Sequence, residues 1–230
     1  MPPEKLHELA AVLEHLAPHT LFSLGPVTIT STVINTLIID AVLIFFVYLA
    51  TRRLSYIPTG VQHILEMAVE FIYGLLEPGL GRHGRRYLWF IGTLFILILT
   101  MNLSWFIPGM IPPTTDISTT FGLGVATILT VHTLTARKKG LHHYIQHYLE
   151  PSPLLAPLMV IEELVKPFSL AIRLFGNMFG EKMVVTVLFI LAPVLMPTPI
   201  MLLGVIMGII QAFVFTLLAV TYLTILTQGH

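Results

Sequence analysis

LLAPLMVIEELVKPFSLAIRLFGNMFGEKMVVTVLFILA, residues 154–192, decides how the rest of the chain is read. It is mostly apolar and is predicted to form one helix. At about 1.5 Å per residue that helix outruns the roughly 30 Å hydrocarbon core of a bilayer, so it must tilt strongly or lie embedded beside a partner. Yet Glu162, Glu163, Lys166, Arg173, Glu181 and Lys182 all fall inside it. Charges at membrane depth are costly and mark an ion path or a buried partner. At about 100° per residue, Glu162, Lys166, Ser169, Arg173 and Asn177 lie within about 40° of one line, so one face is a polar stripe. Snorkelling or mutual pairing would also account for Glu162 and Lys166, one turn apart. Arg173 fits that account less well: it cannot deprotonate, and no acid stands three or four residues to either side.

The rest of the composition agrees with a bilayer as solvent. Of 230 residues, 55% are hydrophobic and 10% charged, against roughly 25% charged in a soluble domain. Formal net charge is zero, which gives no reason to expect nucleic acid or an acidic substrate. Cysteine is absent, excluding disulfides, thiolate metal sites and thiol chemistry. The first 20 residues carry Glu4, Glu8 and Glu14 where a secretory signal would be basic and then apolar. Leu6, Leu9, Ala10 and Leu13 recur there at helical spacing and predict a short amphipathic helix.

Working outward, residues 33–50 predict a first span, interrupted by Asn35 and Asp40 and closed by Arg52 and Arg53. Residues 61–77 place Gln62, Glu66, Glu70, Tyr73 and Glu77 on one face and aliphatic side chains on the other, the pattern of an interfacial helix. Further spans are predicted over 87–107 and 117–136, separated by a turn-rich loop at 108–116. Residues 140–153 read as a loop with one polar helical turn. Pro193, Pro197 and Pro199 make a turn after the long helix, and 200–226 form the last one. The expected fold is all-α and membrane-integral, with about five transmembrane helices, an interfacial amphipathic helix and a long tilted C-terminal helical hairpin. One membrane domain covers 1–230, made of an outer segment at 1–27, peripheral spans and interfacial helix at 28–139, and the hairpin at 154–228. Orientation follows from the basic residues. Arg52, Arg53, Arg82, Arg85, Arg86, Arg137, Lys138 and Lys139 share a side with the C-terminus, against Lys5 on the other. The N-terminus is therefore expected outside and the C-terminus in the cytoplasm.

KPFSLAIRLFGNMFGE, residues 166–181, closely resembles the signature of subunit a of the membrane sector of F-type ATP synthases. The last helix carries the companion pattern in Gln211-Ala212-Phe213-Val214-Phe215 and Tyr222. PTGVQHILEMAVEFI at 58–72 and PPTTDISTTFGLG at 112–124 match as well, in the right order, so the similarity spans roughly 28–228. Cyanobacterial, plastid and related bacterial forms are most similar. The resemblance implies a stator whose hairpin packs against a rotating ring of c subunits. Two offset half-channels would pass H⁺, or Na⁺, to and from the ring carboxylates. It also implies association with peripheral-stalk b-type subunits and the F1 sector in an energy-transducing, plasma-type membrane, no catalytic centre in this chain, and no cofactor.

By that resemblance Arg173 matches the arginine between the two paths, and Asn177 and Gln211 match polar positions near it. For these two, glue between helices is an equal alternative. Asp116 matches an acid associated with the outer entrance, although an Asp there also caps the next helix. Glu181 matches an outer-path acid, and Glu162 and Glu163 fit the inner exit beside Lys166. Ser169 shares their stripe. Two positions depart from the pattern: several relatives have an acid where Lys182 stands, and some have a His where Gly204 stands. Lys182 could pair with Asp116 or Asp40, or reach the outer surface; Asp40 has no counterpart in the family.

Competing classes have less support. A secondary transporter would need inverted repeats or broken helices, and an intramembrane hydrolase a paired-Asp motif or a Ser facing a His. Neither is present; His132 is the one clear intramembrane His. His142, His143 and His147 lack acidic or Cys companions, so no metal site is expected.

Overall fold

The computed structural model describes residues 20–24, 27–52, 55–58, 60–107, 110–140, 156–191 and 197–228. The expected amphipathic helix before residue 20, the loop at 141–153 with its histidines, and residues 192–196 of the expected turn lie outside them.

Among the described residues six helices carry the structure: α1 (Ser31–Thr51), α2 (Val61–Leu80), α3 (Leu88–Leu103), α4 (Ile117–Lys139), α5 (Ala156–Leu191) and α6 (Pro197–Gln228). Short 3₁₀ turns at Gly81–Tyr87, Ser104–Phe106 and Pro113–Thr115 join them. Among the described residues, four stretches are long and apolar enough to cross a membrane: Ser31–Thr51, Val61–Phe106, Ile117–Lys138 and Pro197–Thr227. α5 is also long enough at 36 residues, about 54 Å, but carries charged residues along much of its length. The all-α membrane fold is as expected, with one addition. An antiparallel pair, β1 (Thr20–Leu24) and β2 (Val27–Thr30), precedes α1 with Leu24 opposite Val27 and Phe22 opposite Ile29.

Two helix boundaries differ from those expected. Pro197 and Pro199 belong to the first turn of α6 rather than to the preceding loop. The first helical N–H groups have no partner anyway, and proline presets φ, so proline starts a helix readily. At the other kind of end, Pro78 sits in the last turn of α2, which runs past it to Leu80 and stops at Gly81 with φ 57°. Only glycine adopts that left-handed conformation without strain.

α1 is the most exposed element, with Thr32 and Ile39 its buried residues. It is tied down at its N-terminal end. Thr32 Oγ1 donates to Asp116 Oδ2 at 2.6 Å, and Asn35 Nδ2 donates to the Ile111 carbonyl at 3.0 Å. Asp116 Oδ1 accepts from the Ser118 N–H at 2.9 Å and so caps α4. One buried carboxylate thus fastens α1, the 111–116 loop and the start of α4.

The core lies where α3, α4 and α5 surround α6. Ile91 and Ile98 of α3, Val131 of α4, Leu170 and Leu174 of α5, and Phe215 and Leu223 of α6 are fully buried, joined by Ile72 and Leu76 of α2. Small residues set the spacing. A Cβ on Gly124 of α4 would stand 2.7 Å from the Pro167 carbonyl oxygen, whereas one on Gly122 would meet nothing within 4 Å. Gly124→Ala is expected to lower stability by about 1–3 kcal/mol, the usual cost of overpacking. Gly122→Ala should be neutral. Thermal unfolding of the two purified variants checks this, and equal midpoints would mean that α4 and α5 are not in contact at Pro167.

Candidate functional site on the long hairpin

α5 and α6 pack against each other along the hairpin. Asn177 Nδ2 donates to Gln211 Oε1 at 2.7 Å, and Gln211 is 3% exposed. The Gln211 amide nitrogen is buried and has no hydrogen-bond partner among the described residues. Asn177 and Gln211, singled out separately in the sequence, therefore form one pair bridging the two helices. One turn further on α6 from Gln211, the Gly208 carbonyl accepts from Asn102 Nδ2 of α3 at 3.0 Å. Sequence reasoning passed over Asn102; its signal was a lone amide at the end of an apolar span.

Arg173 and Ser169 lie on the exposed face of α5, together with Gly176, Gly180, Phe168 and Ile172. The guanidinium is thus flanked along its helix by three residues with little or no side chain. Lys182, half a turn round from Arg173 in helical phase, is buried at 4% exposure rather than carried to the surface. Asp40 stands on α1, which packs on α2, α3 and the Pro113–Thr115 turn.

Toward the end of α5 away from the turn, Glu162 is exposed, while Glu163 and Lys166 are largely enclosed. Lys166 Nζ lies 2.5 Å from Glu163 Oε1 and 3.6 Å from Glu162 Oε1. The ammonium also sits 5.3 Å from the centre of the Tyr222 ring on α6, a favourable cation–π distance. His132 Nε2 of α4 is 3.2 Å from Glu163 Oε2, close enough for an ion pair although the N–H is not aimed squarely at the oxygen.

Toward the turn, Glu181 borders a cleft of about 240 Å³ with Asn177, Gly180, Leu203, Gly204 and Met207. A Cβ on Gly204 would fall onto the Glu181 carboxylate. The departure at Gly204 thus has a physical counterpart. With no side chain at 204, the carboxylate from the facing helix takes the space.

The fold and this charged hairpin define a multi-pass membrane protein whose polar groups are concentrated on one helix pair. Residues 33–224 match the ATP synthase A chain family. The chain is 60% identical over 218 residues to ATP synthase subunit a of Moorella thermoacetica, covering 95% of this chain and 100% of the relative. It is 41% identical over 222 residues to that of Trichlorobacter lovleyi (95% and 94%) and 42% identical over 179 residues to that of Geobacter sulfurreducens (76% and 78%). The chain belongs to the ATP synthase A chain family.

Gly204→Ala is expected to displace the Glu181 carboxylate, the mobile end of a flexible side chain, at a cost below the usual overpacking range of about 1–3 kcal/mol. Glu181→Ala should recover that cost, because the three atoms nearest the added Cβ all belong to the carboxylate. A double-mutant cycle on thermal stability measures it; additive effects would mean that the two residues do not meet.

Proposed function

We propose that the chain is the stator ion-translocating subunit of an F-type ATP synthase, working against a ring of c subunits that carry carboxylates at mid-membrane. Ions enter through an outer half-channel that includes Glu181, ride the ring, and leave through an inner half-channel past Glu162, Glu163 and Lys166. Arg173 stands between the two paths. The observation that carries this reading is the exposed guanidinium on the membrane helix α5, with small residues on either side to let another helix approach. Its reading as ring-facing draws on membership of the family.

The chemistry follows from a charge that cannot be switched off. A guanidinium favours the ionised form of an approaching carboxylate and so promotes release of its ion. It also repels hydronium or Na⁺, closing the direct route between the half-channels. Lysine would serve poorly, because its charge is lost more readily on burial and it lacks the planar fork. The Asn177–Gln211 pair supports the hairpin next to Arg173. Asp116, with both oxygens occupied by Thr32 and Ser118, organises the outer loop. The peripheral-stalk b-type subunits and the F1 sector complete the partners. The N-terminus is outside, and the basic 51–86 and 137–153 segments are on the cytoplasmic side with the C-terminus.

Arg173→Ala is expected to abolish ATP-driven pumping in inverted vesicles carrying the assembled complex, with passive ion leak unchanged or raised. Pumping near the unmodified level would overturn the reading. Glu181→Gln should slow coupled transport several-fold while leaving assembly intact. Unchanged synthesis rates across a pH series would remove Glu181 from the outer path.

A further inference from the structure

A cleft of about 660 Å³ lies apart from the hairpin, between the last turn of α1, the polar face of α2 and the start of α3. α1 is long enough to cross a membrane, and Thr51, its last residue, lines the cleft. A helix that spans the hydrocarbon core ends at the headgroups, so the cleft opens at a bilayer surface. Trp89, exposed next to the lining residue Leu88, is of the type that settles at that depth. Leu65, Val69 and Leu88 give the cleft an aliphatic wall, a surface suited to the glycerol and upper acyl carbons of a phospholipid.

The charges in the cleft are kept apart. Glu66, Glu70 and Arg85 all line it, yet among the described residues neither carboxylate forms an ion pair with the guanidinium. Arg85 lies instead over the Tyr73 ring, 5.6 Å from its centre. Glu66 Oε1 accepts from Gln62 Nε2 at 2.8 Å, and Gln62 Oε1 accepts from the Ser55 N–H at 2.9 Å. That carboxylate is thus held in place with its second oxygen open. Glu70 stands one turn further along the same face, and Tyr73 with its guanidinium about 4.5 Å beyond along the axis. Opposite charges that share a cleft without neutralising each other suit a ligand that carries both signs at a short separation.

We propose that this cleft binds the headgroup of a phospholipid that joins a phosphate to a primary ammonium, as phosphatidylethanolamine does. Arg85 takes the phosphate, its planar fork matching two oxygens. Glu66 and Glu70 take the ammonium, which has three N–H groups to donate. An anionic lipid fits less well, because the two lining carboxylates outnumber the one lining cation and would be left without a partner. A trimethylammonium headgroup has no N–H to donate. The one aromatic ring lining the cleft is already covered by Arg85, so that headgroup finds no open aromatic face either. The cleft lies outside the proposed ion path and its occupation does not depend on it.

The test uses the full chain in its native assembly, delipidated in mild detergent and given a phosphatidylethanolamine with a photoreactive acyl chain. Labelling is expected at Leu65, Val69 and Leu88, read by peptide mass spectrometry. Unlabelled phosphatidylethanolamine should compete about tenfold better than phosphatidylcholine or phosphatidylglycerol, the scale of one charge-assisted hydrogen bond. Glu66→Gln combined with Glu70→Gln should erase the advantage over phosphatidylcholine. Arg85→Gln should lower labelling several-fold, and Arg85→Lys should restore part of it. Equal competition by the three lipids, labelling confined to other parts of the chain, or unchanged selectivity in the double variant would each overturn the proposal. Free phosphoethanolamine competing as well as the lipid would mark a site for a small solute. Exclusion of every lipid until another subunit is removed would mark a protein interface. Either result also overturns it, and neither bears on the stator reading.

Discussion

The register between α5 and α6 is the constraint on which the rest of the molecule depends. It is pinned by the 2.7 Å hydrogen bond from Asn177 to Gln211. Lipid offers no hydrogen bonds, so two amides on facing helices are driven to each other. A single such bond is worth only about 0.6–1.7 kcal/mol. Its leverage is positional. With Asn177 opposite Gln211, Glu181 faces Gly204 toward the turn and Lys166 faces Tyr222 toward the other end. A slip of one helical turn would put the Glu181 carboxylate against Ile200 or Gly208 and take the aromatic ring from Lys166.

That register sorts the charges of α5 by environment. Lys166 pairs with both Glu162 and Glu163, and His132 meets Glu163 from α4. Glu181 is received by an absent side chain. Arg173, between these groups, is exposed on the face with Ser169, Gly176 and Gly180. Buried charge is tolerated where it is paired, and Arg173 is turned away from the bundle core.

Much of this was legible in the sequence. Helix lengths follow from uninterrupted apolar runs, and the polar stripe on α5 from residue phase alone. Glu162, Ser169 and Arg173 do share the exposed face, and Lys182 does lie opposite. What escaped was of two kinds. Residues 20–30 carry β-branched and aromatic side chains around Gly25 and Pro26, a hairpin signal, but two isolated strands are marginal and propensity alone does not decide for them. The second kind is contact between distant segments. Thr32 with Asp116, Asn102 with Gly208, and His132 with Glu163 each join residues far apart in the chain. Periodicity places a residue on a face; it does not say which helix covers that face.

On the proposed stator reading, the spacing of charges along α5 also bears on how two ion paths would be kept apart in one thin bundle. Glu163 and Glu181 stand ten and eight residues from Arg173, about 12–15 Å along the axis. At an effective dielectric constant of about 20, a cation beside either site feels Arg173 by only about 1.5 kcal/mol, and binding there remains accessible. A cation passing the guanidinium directly, at about 4 Å, meets about 4 kcal/mol. The difference of about 2.5 kcal/mol suppresses the shortcut nearly a hundredfold while leaving both ends usable. Moving the acids one turn nearer would erode that contrast, since repulsion at the ends rises as the separation falls. A spacing of two to three turns on either side would thus let one fixed charge separate the two proposed paths without closing them.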